Sequence, residues 1–273
     1  MVDLTGLGDD VFEGTPVPMR RGSMFGGQIL GQCWTAAHES TPGHPWPVSL
    51  HAFFVSAPEP SSVVTYTVER QRESRRYAWR RVVGVQHGSV VVDALVALSA
   101  LPPAAFETVL PPGVRGPDEL DPPDLVAGRD PEVVGDYFDH VTMGVIDVRY
   151  VDGPPPVRIR DRDLAAEQWL WVRPLSPVVG AEVGAVLALL SDVNLLATPL
   201  MTMGELGDGV TTYAASFDHD LRFYAAPAEV DWLLFHQEAV VVAGSTVESR
   251  ARVLAPDGTL VLTVTQQGLV LRR

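Results

Sequence analysis

The chain has 273 residues, 46% of them hydrophobic, enough for one large domain or two of ordinary size, either with ample core. Its formal charge of -14 disfavours a phosphate backbone as a partner, so no nucleic acid is expected. All twenty basic residues are Arg, which removes every lysine-based mechanism, and Cys33 stands alone, so no disulfide framework exists and a reducing, cytoplasmic home is expected.

The opening segment MVDLTGLGDD is acidic and lacks the apolar run of a secretory signal. Met24-Phe25-Gly26-Gly27 leads into a predicted helix over 28–39, where Ile29, Leu30, Cys33, Trp34 and Ala37 recur at helical spacing. Alternating runs at 48–55, 62–70, 77–86 and 89–100 read as strands. Arg70, Arg72, Arg75, Arg76, Arg80 and Arg81 concentrate positive charge there. They allow two readings, a solvated strand pair with its turn or an anion site for a phosphorylated ligand. From 101 to 134 Pro, Gly and Asp dominate, as in a linker or long surface crossover.

Beyond that segment the same order recurs. A run from Val183 to Leu200 is apolar on nearly every face and holds one ionisable side chain, Asp192. Its length raises the membrane question, but a central acid argues for a core helix, predicted over 183–196, and no membrane partner is expected. Strands are predicted at 211–224, 231–243, 245–254 and 259–272, the last two joined by the turn Asp257-Gly258. Phe53-Phe54-Val55-Ser56-Ala57-Pro58 lines up with Arg222-Phe223-Tyr224-Ala225-Ala226-Pro227, and Glu69 meets Glu238 at the same offset. Order, spacing and turn chemistry together indicate a duplication. An all-round apolar helix needs cover on most faces, which a wrapping sheet supplies. The expected class is α+β, a double hotdog of two tandem repeats, each an antiparallel sheet wrapped around a central helix. The boundaries are 1–101 for the N-terminal repeat, 102–134 for the Pro-rich linker and 135–273 for the repeat carrying the candidate catalytic residues.

An unpaired carboxylate inside such a run costs several kcal/mol, so Asp192 is either held by hydrogen bonds or used for its perturbed acidity. Capping a second short helix from Val193 onward is a further reading, compatible with catalysis.

The segments MFGGQILGQCWTAA, SLHAFFVSAPEP and RRVVGVQHG, followed by QWLWVRP, LLSDVNLL, ASFDHDLRFYAAPAEVDWLLF and TVTQQGLVLRR, resemble the acyl-CoA thioesterase II family. The resemblance runs from about Val11 to Arg273. It implies a double hotdog fold, an acyl-CoA substrate, hydrolysis without metal or cofactor, and assembly into a homo-oligomer. In that family an Asp, a Thr or Ser, and a Gln position the hydrolytic water. On this sequence they correspond to Asp192, Ser216 and Gln266. Ser56 and Ala57 stand where the family carries an Arg, and Phe223-Tyr224 replaces its aromatic-His pair.

A thioester carbonyl is electrophilic enough for direct attack by a well-placed water. The enzyme must supply a proton acceptor and orienting groups, which a buried carboxylate and a Ser–Gln pair provide. Asp192 is expected on the helix, with Ser216 and Gln266 on different strands. Backbone N–H groups at Gly26-Gly27 are the expected oxyanion donors. Asp218-His219 reads as structural, since strand neighbours point to opposite faces. The seven His residues show no ligand spacing for a metal, Gly22-Ser23-Met24-Phe25-Gly26 has the wrong spacing for a nucleophile elbow, and Cys33 reads as core packing. Two rivals stay open. A non-catalytic acyl-CoA-binding protein is kept alive by the altered Ser56-Ala57 segment. An enoyl-CoA hydratase would need a His soon after Asp192-x-Asn194, where Leu195, Leu196 and Ala197 stand instead.

Overall fold

A computed structural model describes residues 2–17, 24–104, 106–107, 110–176, 178–206 and 212–272. In chain order the first elements are β1 (Thr5–Gly8), β2 (Val11–Gly14), α1 (Gly26–Glu39), β3 (Trp46–Phe54), β4 (Val64–Glu73), β5 (Tyr77–Gln86), β6 (Ser89–Ser99) and β7 (Phe106–Glu107). The middle of the chain holds α2 (Pro123–Arg129), α3 (Pro131–Val134), α4 (Tyr137–Thr142), β8 (Ile146–Tyr150), α5 (Pro155–Arg160), β9 (Glu167–Pro174) and β10 (Val178–Val179). There follow α6 (Val183–Leu190), α7 (Ala197–Thr202), β11 (Thr212–Ser216), β12 (Asp218–Phe223), β13 (Glu229–Val230), β14 (Leu233–Ala243), β15 (Thr246–Leu254) and β16 (Thr259–Arg272). None of the described helices is long and apolar enough to cross a membrane.

Two compact units interleave along the sequence. The first comprises Met1–Ala105, Val178–Val193 and Phe217–Glu229. Its antiparallel strands lie in the order β1-β2-β4-β5-β6-β3-β12. Alternation decides which face is covered: Val64, Tyr66 and Val68 of β4 are buried while Thr65 and Thr67 are less so. α1 packs on β4, β5 and β6 and buries Ile29, Leu30, Cys33, Trp34, Ala36 and Ala37. A fully buried Leu or Ile of this kind stabilises by about 1.5–3 kcal/mol. α6 lies against α1 at a distance only glycine permits. A Cβ on Gly27 would stand 2.3 Å from the Leu189 carbonyl oxygen, and one on Gly184 would stand 2.5 Å from the Trp34 ring.

The second unit comprises Phe106–Pro177, Asn194–Ser216 and Val230–Arg273. Its sheet runs β8-β9-β14-β15-β16, and β11 and β7 also pair with β16. Leu120, Val151, Trp171, Trp232, Leu234 and Leu254 form one apolar cluster, and Leu200, Val247 and Val270 another. Buried amides cross-link this unit: Gln168 Nε2 donates to Thr198 Oγ1 at 2.7 Å and to Gln237 Oε1 at 2.8 Å.

Two sequence expectations change. The helix predicted over 183–196 stops at Leu190, and a new one begins at Ala197. Asn194 between them takes a left-handed backbone (φ +62°), which Asn tolerates better than most residues and which an α-helix cannot continue through. The strand predicted over 211–224 is two strands with a bend at Phe217, and its first residue, Thr211, lies outside the described residues. The segment 102–134 carries the short helices α2 and α3, each started by a proline that presets the first helical turn.

Three arginines of the arginine-rich strand pair, Arg70, Arg80 and Arg81, have acidic partners within the chain. Arg70 forms two hydrogen bonds to Asp10, at 2.6 and 3.0 Å. Arg81 reaches Asp93 and Glu69, and fully buried Arg80 binds Ser40, Glu73 and the backbone oxygens of Arg72 and Trp79. Arg72 lies over the Trp79 ring, 5.8 Å from its centroid.

Candidate active site

Asp192 stands two residues beyond the end of α6, in a turn rather than on the helix where the sequence placed it. Its side chain is 9% exposed. Oδ2 accepts a hydrogen bond from the Gly27 N–H at 2.8 Å. Gly27 lies in the first turn of α1, whose N-cap position is Phe25 and supplies no side-chain cap. The carboxylate therefore caps α1 from a distant part of the chain, where the helix dipole favours negative charge. It does not cap a helix of its own from Val193, since the next helix begins only at Ala197. The expectation that Gly27 donates to an oxyanion also changes, because that N–H is taken by Asp192.

Glycine at position 26 has a reason in the same geometry. A Cβ there would stand 2.7 Å from Asp192 Oδ2 and 3.2 Å from the Phe54 ring. The small-residue entry thus makes room for the acid beside the helix start.

His219, half of the Asp-His pair that the sequence reads as structural, stands against Asp192. On β12 the buried positions are His219, Leu221 and Phe223, while Asp218, Asp220 and Arg222 are not buried. Strand alternation decides only that one member of the Asp-His pair turns inward. The parity of Leu221 and Phe223 identifies that member as His219. Its fully buried ring places Nδ1 3.8 Å from Asp192 Oδ1 and Nε2 2.9 Å from Ser191 Oγ. Ser191 Oγ in turn donates to the Ala188 carbonyl at 2.7 Å, so Nε2 of His219 is the donor of the pair.

In the second unit Ser216 ends β11 directly opposite Gly268 of β16. Gln266, two residues earlier on β16 and fully buried, donates from Nε2 to Ser216 Oγ at 2.5 Å. The sequence assignment of Ser216 and Gln266 to different strands holds, and the structure brings these two side chains together. Gly268 has little room for more than hydrogen: a Cβ would stand 2.6 Å from Leu196 and 3.2 Å from the Ala215 carbonyl oxygen. Asn194, from the same motif as Asp192, accepts a hydrogen bond from Tyr137 Oη at 2.8 Å.

Burial pushes the Cys33 thiol far above its usual range, which keeps it protonated and unreactive within the core of α1. Among the described residues no three His, Cys, Asp or Glu side chains group as they would around a metal ion. Of the nucleophile-elbow candidate, Gly22 and Ser23 lie outside the described residues.

Comparison with known proteins places the whole chain. Residues 15–99 match the family description "Acyl-CoA thioesterase N-terminal domain", and residues 117–270 match "Acyl-CoA thioesterase C-terminal domain". The mouse (Mus musculus) protein named acyl-coenzyme A thioesterase 8 is 28% identical over 284 residues, covering 99% of this chain and 87% of its own. The solved structure of a tesB protein from Mycobacterium avium subs paratuberculosis aligns with a TM-score of 0.80 at 20% identity, over 99% of this chain and 96% of that one. A hot dog fold protein from Alicyclobacillus acidocaldarius aligns with a TM-score of 0.80 at 18% identity, over 100% and 97% of the two chains. The fold is a double hotdog.

Proposed function

Because the chain belongs to the acyl-CoA thioesterase II family, we propose that it hydrolyses acyl-CoA thioesters to a free fatty acid and CoA, with Asp192 activating the water and Ser216 and Gln266 orienting it. The observation that carries this reading is the match of both thioesterase domain descriptions, in order, to one chain.

The roles follow from the chemistry of each group. Water oxygen attacks the thioester carbonyl carbon while its proton passes to the Asp192 carboxylate. The tetrahedral species then collapses, the C–S bond breaks, and the proton returns to the departing CoA thiolate. Withdrawal from solvent raises the basicity of Asp192, which is 9% exposed, while the Gly27 N–H and the α1 dipole pull the other way. Gln266 donates to Ser216 Oγ, which leaves the hydroxyl proton of Ser216 and one further oxygen lone pair for an oriented water. No metal or organic cofactor enters this scheme.

The test is release of free thiol from a panel of acyl-CoA lengths. Wild type should turn over, and Asp192→Asn should lose at least about 100-fold in kcat with the fold intact. Ser216→Ala and Gln266→Ala combined with Asp192→Asn should be far from additive if all three serve one water. Acyl-CoA binding without turnover in the wild type would replace this reading with that of a non-catalytic binder. A homo-oligomer in the cytoplasm is the accompanying family expectation, and light scattering on the purified chain tests the assembly.

A further inference from the structure

From the contacts of His219 we infer that it is a positioning residue for Asp192, an imidazole pinned by Ser191 that holds the carboxylate in its charged, working orientation. The inference rests on the hydrolytic reading above and concerns a residue that reading does not use.

Position 219 lies in an apolar row, with Leu221 and Phe223 buried on the same face of β12 and no exposure at His219 itself. Burying an imidazole there demands polar partners; Nε2 meets Ser191 Oγ, and Nδ1 lies within ion-pair reach of Asp192. Ser191 Oγ gives its proton to the Ala188 carbonyl, so it can only accept from His219 Nε2–H, at 2.9 Å. That bond fixes the tautomer and the ring plane. With Nε2 protonated, the nitrogen turned toward Asp192 is Nδ1, 3.8 Å from Oδ1. A neutral ring of this tautomer presents a lone pair to the carboxylate, whereas a protonated ring presents a positive N–H. A proton taken up at Nδ1 would set a cation 3.8 Å from Oδ1 and favour an ionised Asp192.

Oδ2 of Asp192 thus accepts from the Gly27 amide, while Oδ1 stands 3.8 Å from Nδ1 of the ring that Ser191 orients, within ion-pair reach. Other ionisable groups on the surrounding elements are placed differently. His51 of β3 faces Asp220 at 3.4 Å, α1 carries Cys33, His38 and Glu39, and α6 carries none. During hydrolysis His219 touches neither water nor thioester in this scheme. It acts by keeping Asp192 charged and aimed.

The experiment is a pH–rate profile of the full chain with a saturating acyl-CoA, read as thiol release, for wild type, His219→Gln and Ser191→Ala. His219→Gln keeps a donor for Ser191 but cannot carry charge. Its kcat should fall about 10- to 100-fold with KM within about twofold, and the acid limb of its profile should move to higher pH by about one unit. Ser191→Ala should shift the limb in the same direction by less, and serves if His219→Gln does not fold as judged by circular dichroism. In the double variant, Asp192→Asn should hide the effect of His219→Gln. A folded His219→Gln with wild-type kcat and an unmoved acid limb, beside an inactive Asp192→Asn, would overturn the inference. An inactive wild type would instead overturn the hydrolytic reading itself.

Discussion

The Gly27 amide donates to Asp192 Oδ2 at 2.8 Å across 165 residues of sequence, so one carboxylate both closes the open N-terminus of α1 and stands as the proposed base. Structure and chemistry meet in that single bond. The consequences of changing its neighbours also separate, since a methyl on Gly26 would meet Asp192 and one on Gly27 the Leu189 backbone oxygen.

Gly26→Ala should act on catalysis. Its new methyl would meet the flexible end of Asp192 at 2.7 Å and push the carboxylate aside. Misplacing a reacting group by about 1 Å costs on the order of 100-fold in rate, so kcat should fall steeply, beside a stability loss of about 0.5–2 kcal/mol from the displaced helix cap. Gly27→Ala should act on folding instead, because its methyl would stand 2.3 Å from the Leu189 backbone oxygen, which cannot move without shifting α6. We expect a loss of about 3 kcal/mol or more, read from urea denaturation.

Asp192→Asn should leave the protein folded but slightly less stable. The amide oxygen can still accept from Gly27 N–H, while the charge that complements the α1 dipole is gone. That difference is worth about 0.3–2 kcal/mol. Thermal melts beside thiol-release rates will show whether a small stability change accompanies a large loss of turnover.

Ser216→Thr should retain activity within a few-fold and Ser216→Ala should lose about 10- to 1000-fold. The hydroxyl is what Gln266 Nε2 addresses, at 2.5 Å, and Thr preserves it. Equal activity in the two variants would remove the hydroxyl from the mechanism.

Cys33 should not react with thiol reagents in the native state. It is fully buried, and burial pushes its thiol far above the usual range. Maleimide treatment should leave activity untouched, and the thiol should titrate only in denaturant.

Stability should fall as the solution is acidified through the histidine range, with His38 as one contributor. Burial holds its imidazole below the ordinary value of 6.5, and its ring stacks on Trp34 at a centroid distance of 5.9 Å. A depressed folded value means the unfolded chain binds the proton more readily. The contribution is therefore fully present above about 6.5 and is lost as pH falls through the folded value. Urea midpoints at pH 7.5 and 5.5 should differ less in His38→Gln than in wild type.

Periodicity alone was enough to find α1 and most of the strands. The stretch from Tyr77 to Gln86 alternates with period two, and it is a strand over those same residues. Position 192 stood out for the same local reason, an acid in an otherwise apolar run, and family motifs singled out Ser216 and Gln266. What the pattern could not give was where the run breaks. An apolar helix and an apolar turn bury equally well, so nothing in hydropathy marks Leu190 as the end of α6, and the left-handed Asn194 is a backbone fact. The repeat seen in the sequence likewise carries no information about which elements share contacts, and α6 and β12 group with the N-terminal strands.

By itself, then, the sequence determined the element types, the fold class and the side chains worth suspecting, because all of these depend on neighbours a few residues apart. Only tertiary structure decided that Asp192 caps α1 and that His219, not Asp218, turns inward to meet it. Those contacts join residues far apart in the chain. They are fixed by how closely two helices approach and by which face of a strand is covered, quantities that no local spacing encodes.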